Sequence, residues 1–126
     1  DIHFLKKKIE YGAEYIVTQM FFDNQKYFDF VNLCRDNDIN VPIIPGLKPL
    51  STVKHLNVLP HRFHLNLPSE LVNEVLKCND KDDIRQVGVD WAVQQTKELI
   101  AFGAPCIHFY TMGNTNNIIK IMSNFC

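Results

Sequence analysis

The stretch YIVTQ, residues 15–19, is rich in β-branched and aromatic side chains and has the length of one strand. A lysine-rich helix is predicted before it and ends at Gly12, because glycine commonly stops helices. After it, Asp23 or Asn24 is predicted to cap a second helix, which ends near residues 37–38. A short apolar strand between two such helices is typical of a parallel sheet with helices outside.

Two more strands follow the same pattern. Residues 41–46 (VPIIPG) predict a short buried strand that a Pro-Gly breaker closes, and residues 107–111 (IHFYT) predict a third strand. Because the connections are helical and long enough for right-handed crossovers, we expect the strands to be adjacent and parallel. Their predicted cores are residues 15–19, 43–45 and 107–110, and further helices are predicted at residues 51–56, 68–76, 84–102 and 114–125.

The length of the chain limits the fold. The sequence has 126 residues without a repeat or a linker, so residues 1–126 are predicted to form one unit. A complete (β/α)8 barrel needs about 200 to 250 residues. The predicted fold class is therefore α/β, with three parallel strands and outer helices that amount to about half of such a barrel. Because the sequence begins at Asp1, inside a predicted helix, we expect a piece of a longer protein, prone to aggregate alone through its open sheet edges.

Composition and motifs exclude several classes of function. Lys+Arg 13 against Asp+Glu 14 gives a net charge of −1, which does not favour a nucleic-acid binder. No apolar run is long enough for a membrane span, and no phosphate-loop, Gly-x-Gly-x-x-Gly or Gly-x-Ser-x-Gly motif is present. The four cysteines form no Cys-x-x-Cys pair, so free cytosolic thiols are favoured over disulfides. No metal site is predicted, because His61 and His64 lie in a stretch without a clear helical pattern.

The carboxyl ends of the strands are the predicted functional face, because parallel barrels carry their active sites there. This rule selects Gln19, Gly46 and Tyr110-Thr111. The carboxamide of Gln19 can donate and accept together at the edge of a heteroaromatic ring, and Tyr110 offers a flat face and a hydroxyl. The alternative for either residue is a polar side chain that merely ends a strand. A barrel aldolase would need a lysine or a carboxylate at a strand end, and none is recognised there.

Three segments together resemble the methylenetetrahydrofolate reductase family: AEYIVTQMFFD (residues 13–23), IIPGLKP (43–49) and HFYT (108–111). They follow the order and spacing of that family, and the resemblance covers essentially the whole chain. It implies a (β/α)8 barrel that holds FAD and passes a hydride from NADH or NADPH to 5,10-methylenetetrahydrofolate, in one-carbon and methionine metabolism. It further implies the C-terminal part of the barrel, with its last three strands, from a cytoplasmic enzyme that is a homo-oligomer when full length.

The resemblance also implies roles for individual residues. Gln19 matches a glutamine that contacts the folate pterin, and Tyr110 matches a tyrosine at the substrate side of the flavin. Lys8 matches a lysine that contacts FAD, and Asp1 matches an acidic residue that contacts the same cofactor. Lys7 stands where some bacterial members carry an arginine near the flavin phosphates. No catalytic residue is implied, because the general acid of the family is a glutamate of the first strand, which precedes Asp1.

Two positions depart from the family pattern. Asn114 stands where an arginine binds the glutamate tail of folate, and a neutral amide cannot form a bidentate charged pair with a carboxylate. Leu59 stands where an aromatic residue stacks on the nicotinamide in bacterial members; animal members also lack it, which favours a eukaryotic enzyme and NADPH. The alternative function is a non-catalytic or truncated barrel relative that acts as an interaction module. The chain alone is expected to be inactive.

Overall fold

Three strands and six helices make up the part of the chain that the structure, a computed structural model, describes: residues 2–63, 67–110 and 116–125. The predicted alternation of helices and strands is confirmed, and with it the α/β class. In chain order the elements are α1 Ile2–Glu10, β1 Ile16–Met20, α2 Asn24–Asp36, β2 Ile43–Leu47, α3 His55–Phe63, α4 Ser69–Leu76, α5 Lys81–Phe102, β3 His108–Phe109 and α6 Asn116–Met122.

The strands form one parallel sheet in the order β1-β2-β3. Ile16 of β1 lies opposite Ile43 of β2, and Gly46 of β2 lies opposite His108 of β3. The predicted adjacency and direction of the strands are therefore confirmed. Within the described residues β1 and β3 are both edge strands, as expected of one part of a barrel rather than a closed one.

Two strand bounds differ from the prediction. β2 does not stop at its Pro-Gly pair but continues through Pro45 and Gly46 to Leu47. A tertiary hydrogen bond overrides the local breaker, because the N–H of Gly46 donates to Oγ1 of Thr18 at 3.0 Å. β3 spans His108–Phe109, so Ile107 and Tyr110 of the predicted strand flank it, whereas Thr111 lies outside the described residues.

The register between β1 and β2 shifts by one residue near the carboxyl end. Val17 lies opposite Ile44, whereas Met20 lies opposite Gly46. Two residues of β1, Thr18 and Gln19, therefore occupy the space opposite the single residue between Ile44 and Gly46, as in a β-bulge. That single residue is Pro45.

Short-range signals set the starts of two helices. Asp23 caps α2 as predicted, because its Oδ1 accepts the N–H of Gln25 at 3.0 Å. α5 begins before the predicted residue 84, because Asp80 caps it by accepting the N–H of Asp83 at 2.9 Å. Both caps satisfy N–H groups that a helix leaves without an internal partner.

The prediction was least accurate for α3. The pattern predicts a helix at residues 51–56, whereas α3 spans His55–Phe63 and a turn over residues 52–54 precedes it. Pro60 lies inside this helix, where its missing N–H removes one bond of the ladder. The neighbouring Leu59 is 1% exposed, so burial of its side chain offsets that loss.

Three apolar clusters hold the helices on the sheet, and the smallest contains Val89, Ala92, Val93 and Ile121. Gly88 of α5 allows one close approach, because a Cβ there would collide with the carbonyl oxygen of Leu50. The first cluster packs beside α1 and α2 and contains Phe21, Tyr27, Cys34, Ile39, Ile43, Leu47 and Leu99. The second surrounds the chain beyond the carboxyl end of the sheet and contains Met20, Phe22, Leu50, Leu59, Leu71, Val75 and Ile84.

The first strand carries exposed apolar surface. Tyr15 just before β1 is 58% exposed and Val17 within it is 39% exposed. A groove of about 540 Å³ runs beside them, with Phe4 of α1 and Phe30 of α2 in its walls. Apolar surface on an edge strand is typical of a face that another segment covers. No helix of the described residues is long and apolar enough to cross a membrane.

Candidate functional site at the carboxyl ends of the strands

The carboxyl ends of all three strands are joined at one point. The hydroxyl of Tyr110, directly after β3, donates to the backbone carbonyl oxygen of Thr18 in β1 at 2.8 Å. The N–H of Tyr110 donates to the carbonyl oxygen of Leu47 in β2 at 2.8 Å. The N–H of Gly46 donates to Oγ1 of Thr18. We call Thr18, Gly46 and Tyr110 the strand junction.

The junction requires glycine at its centre. A Cβ on Gly46 would stand 2.6 Å from the carbonyl oxygen of Thr18 and 2.6 Å from Cε2 of Tyr110. Real Cβ atoms do not approach other atoms so closely, so the tyrosine ring crosses β2 only because residue 46 has no side chain. The ring of His108 meets that of Tyr110 edge-on, with the centroids 4.6 Å apart. The rule for strand ends thus selected Gly46, whose role is to leave room for the ring of Tyr110.

Gln19 lies directly after Thr18, next to last in β1. Its side chain is exposed at the same end of the sheet as the junction. The structure therefore brings Gln19 and Tyr110, the two predicted substrate-binding residues, to neighbouring positions. An exposed carboxamide beside an aromatic ring can orient a flat polar ring by hydrogen bonds. Contact of either residue with folate stays a prediction.

The cofactor predictions fall on α1 and before it. Lys8 is exposed, and its Nζ stands 4.7 Å from the centroid of the Phe4 ring. Neither ion pair found in the described chain involves Lys8. Its ammonium fits an anionic group of a cofactor, since no described carboxylate neutralises it. Lys7 is exposed as well, whereas Asp1 and Asn114 lie outside the described residues.

Sequence reasoning missed Lys48. It directly follows β2, so the statement that no lysine stands at a strand end was wrong. Its side chain is 6% exposed, and burial lowers the pKa of its ammonium. Leu50, Leu71 and Trp91 line the same small cavity as Lys48. A low pKa suits a lysine nucleophile, but burial among these side chains leaves no room for a carbonyl substrate.

His55 was also missed. Its Nδ1 accepts the N–H of Ser51 at 3.1 Å, which places it at the start of α3. Burial lowers the pKa of His55, and the nearby charge of Lys48 lowers it further. The side chains of Lys48 and His55 therefore lie close enough for the charge of one to disfavour the charge of the other. The signal in the sequence for the hydrogen bond to Ser51 was weak, because a histidine four residues after a serine occurs in many structural settings.

Leu59 packs in the core rather than at an open surface, with 1% exposure. The prediction that it does not stack on a nicotinamide stays a prediction. His61 lies in α3, which corrects the prediction of an irregular stretch, and His64 lies outside the described residues. Among residues 2–63, 67–110 and 116–125, no group of His, Cys, Asp or Glu could hold a metal ion. Cys34, Cys78 and Cys106 are free thiols.

A cavity of about 550 Å³ lies elsewhere, between α2, α4 and α5. Its buried polar groups satisfy one another: Nδ2 of Asn24 donates to Oε2 of Glu98 at 2.9 Å, and Nε2 of Gln95 donates to Oδ1 of Asn24 at 3.0 Å. Neither Gln19 nor Tyr110 lines it. The cavity is therefore separate from the strand junction.

Sequence comparison extends over the whole chain. The model of the family "Methylenetetrahydrofolate reductase" matches residues 1–126. A relative from Arabidopsis thaliana, "Methylenetetrahydrofolate reductase (NADH) 1", is 34% identical over 98% of the chain and 21% of its own length. The "Probable methylenetetrahydrofolate reductase (NADPH)" of Caenorhabditis elegans is 29% identical over 98% of the chain and 19% of its own length. The chain thus spans about a fifth of these relatives.

Bacterial and structural relatives add to this match. The "5,10-methylenetetrahydrofolate reductase" of Buchnera aphidicola (strain Bp) is 33% identical over 98% of the chain and 43% of its own length. A solved structure from Clostridium thermocellum superposes with a TM-score of 0.67 at 23% identity, covering 97% of this chain and 45% of that one. That protein is described as one that binds two copies of 5-methyl-5,6,7,8-tetrahydrofolic acid. At this identity the likeness shows the fold.

Proposed function

Because the chain belongs to the methylenetetrahydrofolate reductase family, we propose that the full-length protein is an oxidoreductase that reduces 5,10-methylenetetrahydrofolate to 5-methyltetrahydrofolate. NADH or NADPH is the proposed hydride donor, since the relatives carry both names. FAD is the proposed cofactor, as the resemblance to the family implies. The observation that carries the proposal is the exposed carboxamide of Gln19 beside the strand junction, at the end of the sheet where parallel barrels work.

The proposed role of Gln19 is to orient the substrate. A pterin presents donors and acceptors side by side on one edge, and a carboxamide supplies the complementary pair. Holding the ring in one plane brings its reactive carbon to a fixed distance from the hydride source, which lowers the entropic part of the barrier. FAD, when bound, would accept the hydride from the nicotinamide and pass it to the folate.

The proposed role of Lys8 is to hold the cofactor. Its exposed ammonium has no ion pair with a carboxylate of the described chain and can meet a phosphate. As the family resemblance implies, the proposed general acid is a glutamate of the first strand, which precedes Asp1. We also propose a cytoplasmic protein, which the free thiols of Cys34, Cys78 and Cys106 support, and a homo-oligomer when full length, as the resemblance implies.

The test uses the full-length protein with bound flavin. Reduction of the flavin by NADH or by NADPH is followed by absorbance without oxygen, and methylenetetrahydrofolate is then added to reoxidise it. We expect Gln19→Ala to keep the flavin spectrum and its reduction, and to slow folate-dependent reoxidation about five- to 150-fold, since a lost hydrogen bond to a polar ring costs about 1 to 3 kcal/mol.

The matched control is Gln86→Ala, which removes a carboxamide from the exposed surface of α5, where it donates to Asp90 at 2.8 Å. It should react like the unmodified protein. Unchanged reoxidation in Gln19→Ala would contradict the role of Gln19. A flavin that binds and is reduced, yet is never reoxidised by the folate, would favour the non-catalytic relative, for which the neutral Asn114 is the motivation.

A further inference from the structure

We propose that Tyr110 is a positioning residue, whose hydroxyl holds the bulge of β1 in the conformation that presents Gln19 and does not bind the substrate. This inference rests on the proposed function, because it assigns Tyr110 a task in the same site. The motivating contact is the 2.8 Å hydrogen bond from the hydroxyl of Tyr110 to the carbonyl oxygen of Thr18.

The bond acts on Gln19 through a rigid unit. The carbonyl of Thr18 and the N and Cα atoms of Gln19 belong to one planar peptide group. Holding the direction of the carbonyl therefore limits the rotation of that plane, and with it the position of the Gln19 Cα atom from which the side chain leaves the backbone. In a regular parallel strand, ladder hydrogen bonds would fix this plane.

Here the pairing is irregular, and the N–H of Gly46 donates at 3.0 Å to Oγ1 of Thr18. The carbonyl of Thr18 accepts the hydroxyl of Tyr110. The first bond holds the side chain of Thr18, and the second holds the peptide that Thr18 shares with Gln19.

The hydroxyl of Tyr110 is thereby engaged. A phenol has a single proton to donate, and that proton serves the carbonyl of Thr18. Donation to a substrate would break the bond that holds the peptide of Gln19. The ring crosses Gly46 at contact distance and keeps that position without the hydroxyl. Tyr110→Phe therefore removes the holding bond and leaves the packing in place.

The chain offers a matched control at the other end of the sheet. The hydroxyl of Tyr27 donates to the carbonyl oxygen of Ile43, the first residue of β2, at 2.7 Å. Tyr27→Phe thus removes the same kind of bond to a strand carbonyl, away from the bulge. Both variants should lose a similar part of the stability, so a loss of activity restricted to Tyr110→Phe cannot come from stability alone.

The experiment measures folate-dependent flavin reoxidation in the full-length protein for Tyr110→Phe, Tyr27→Phe, Gln19→Ala and the double variant Tyr110→Phe/Gln19→Ala. We expect Tyr110→Phe to react roughly ten- to a hundredfold more slowly, since a misplaced orienting group costs about that much. Tyr27→Phe should react at the unmodified rate. The double variant should be no slower than Gln19→Ala alone, because Tyr110 acts through Gln19.

If the rate losses of the two single variants multiply in the double variant, the proposal is overturned, because Tyr110 would then contact the substrate independently of Gln19. An unchanged rate in Tyr110→Phe, or an equal loss in Tyr27→Phe, would also overturn it. A readout independent of activity is the side-chain amide NMR signal of Gln19 in protein labelled at glutamine nitrogen, assigned by its loss in Gln19→Ala. This signal should shift in Tyr110→Phe and stay in place in Tyr27→Phe.

The two readouts separate the proposals. If the unmodified protein never reduces the folate, the proposed function fails, and the NMR signal alone then decides the role of Tyr110. An unshifted Gln19 signal in Tyr110→Phe would overturn the positioning role whatever the activity.

Discussion

Two tyrosine hydroxyls hold strand carbonyls at opposite ends of the same sheet, and their surroundings differ. Tyr27 is 3% exposed, stacks on Phe21 at 5.9 Å between ring centroids and meets Phe102 edge-on. Tyr110 is half-buried, and a polar junction surrounds it. Apolar packing supports both ends of the sheet, but three hydrogen bonds join the strands at the junction of the carboxyl end, and the tyrosine there is only half-buried. Removing a single hydroxyl at the carboxyl end can therefore change the local geometry at a small cost in the free energy of unfolding.

The largest expected effect belongs to the amino end. Tyr27→Ala removes a buried ring from the cluster with Phe21, Phe28 and Phe102 and should lower the free energy of unfolding by about 3 to 5 kcal/mol. Tyr110→Ala should cost clearly less, because its ring is half-buried. Urea unfolding of the full-length protein, followed by circular dichroism, measures both. Equal losses would remove the contrast between the two ends.

A smaller effect is expected at the centre of the junction. Gly46→Ala would place a Cβ against the carbonyl oxygen of Thr18 and the ring of Tyr110, so the ring must move. We expect a loss of about 1 to 3 kcal/mol, together with slow folate-dependent reoxidation. Gly12→Ala is the control, because nothing lies within 4 Å of a Cβ there and only its φ of +108° opposes alanine. Full activity in Gly46→Ala would show that the junction tolerates displacement.

The smallest effect concerns pH. The pKa of His55 lies below its usual value of 6.5, through burial and the charge of Lys48. The unfolded chain therefore binds a proton near that pH that the folded chain does not, so stability falls as the pH drops below about 6.5. Above about pH 7.5 both states are neutral and His55 contributes no pH dependence. His55→Asn should flatten this part of the stability profile, and an equally steep profile in that variant would contradict the assignment.

Local signals predicted the elements well where the local cause also decides the outcome. The cap at Asp23 and the parallel order of the strands follow from composition and spacing. The extension of β2 through Gly46 and the helix around Pro60 could not be predicted, because contacts with distant residues override the local breakers. Burial of Lys48 was hidden for the same reason, since a lysine after a strand is usually exposed.

For the site, the rule of strand ends placed Gln19 and Tyr110 at the same edge of the sheet. It could not predict that the hydroxyl of Tyr110 would bond to Thr18, since that depends on the missing side chain of Gly46 and on the shifted register. Such contacts emerge only when three strands are already aligned.

The bond between Tyr110 and Thr18 also has a consequence for biosynthesis. The two residues are separated by 92 positions. At a ribosomal rate of about 5 to 20 residues per second, Tyr110 is made about 5 to 20 s after Thr18. During that interval β1 can pair with β2, but the peptide before Gln19 lacks its holding bond. The end of the sheet that carries Gln19 is therefore completed only when Tyr110 has been made.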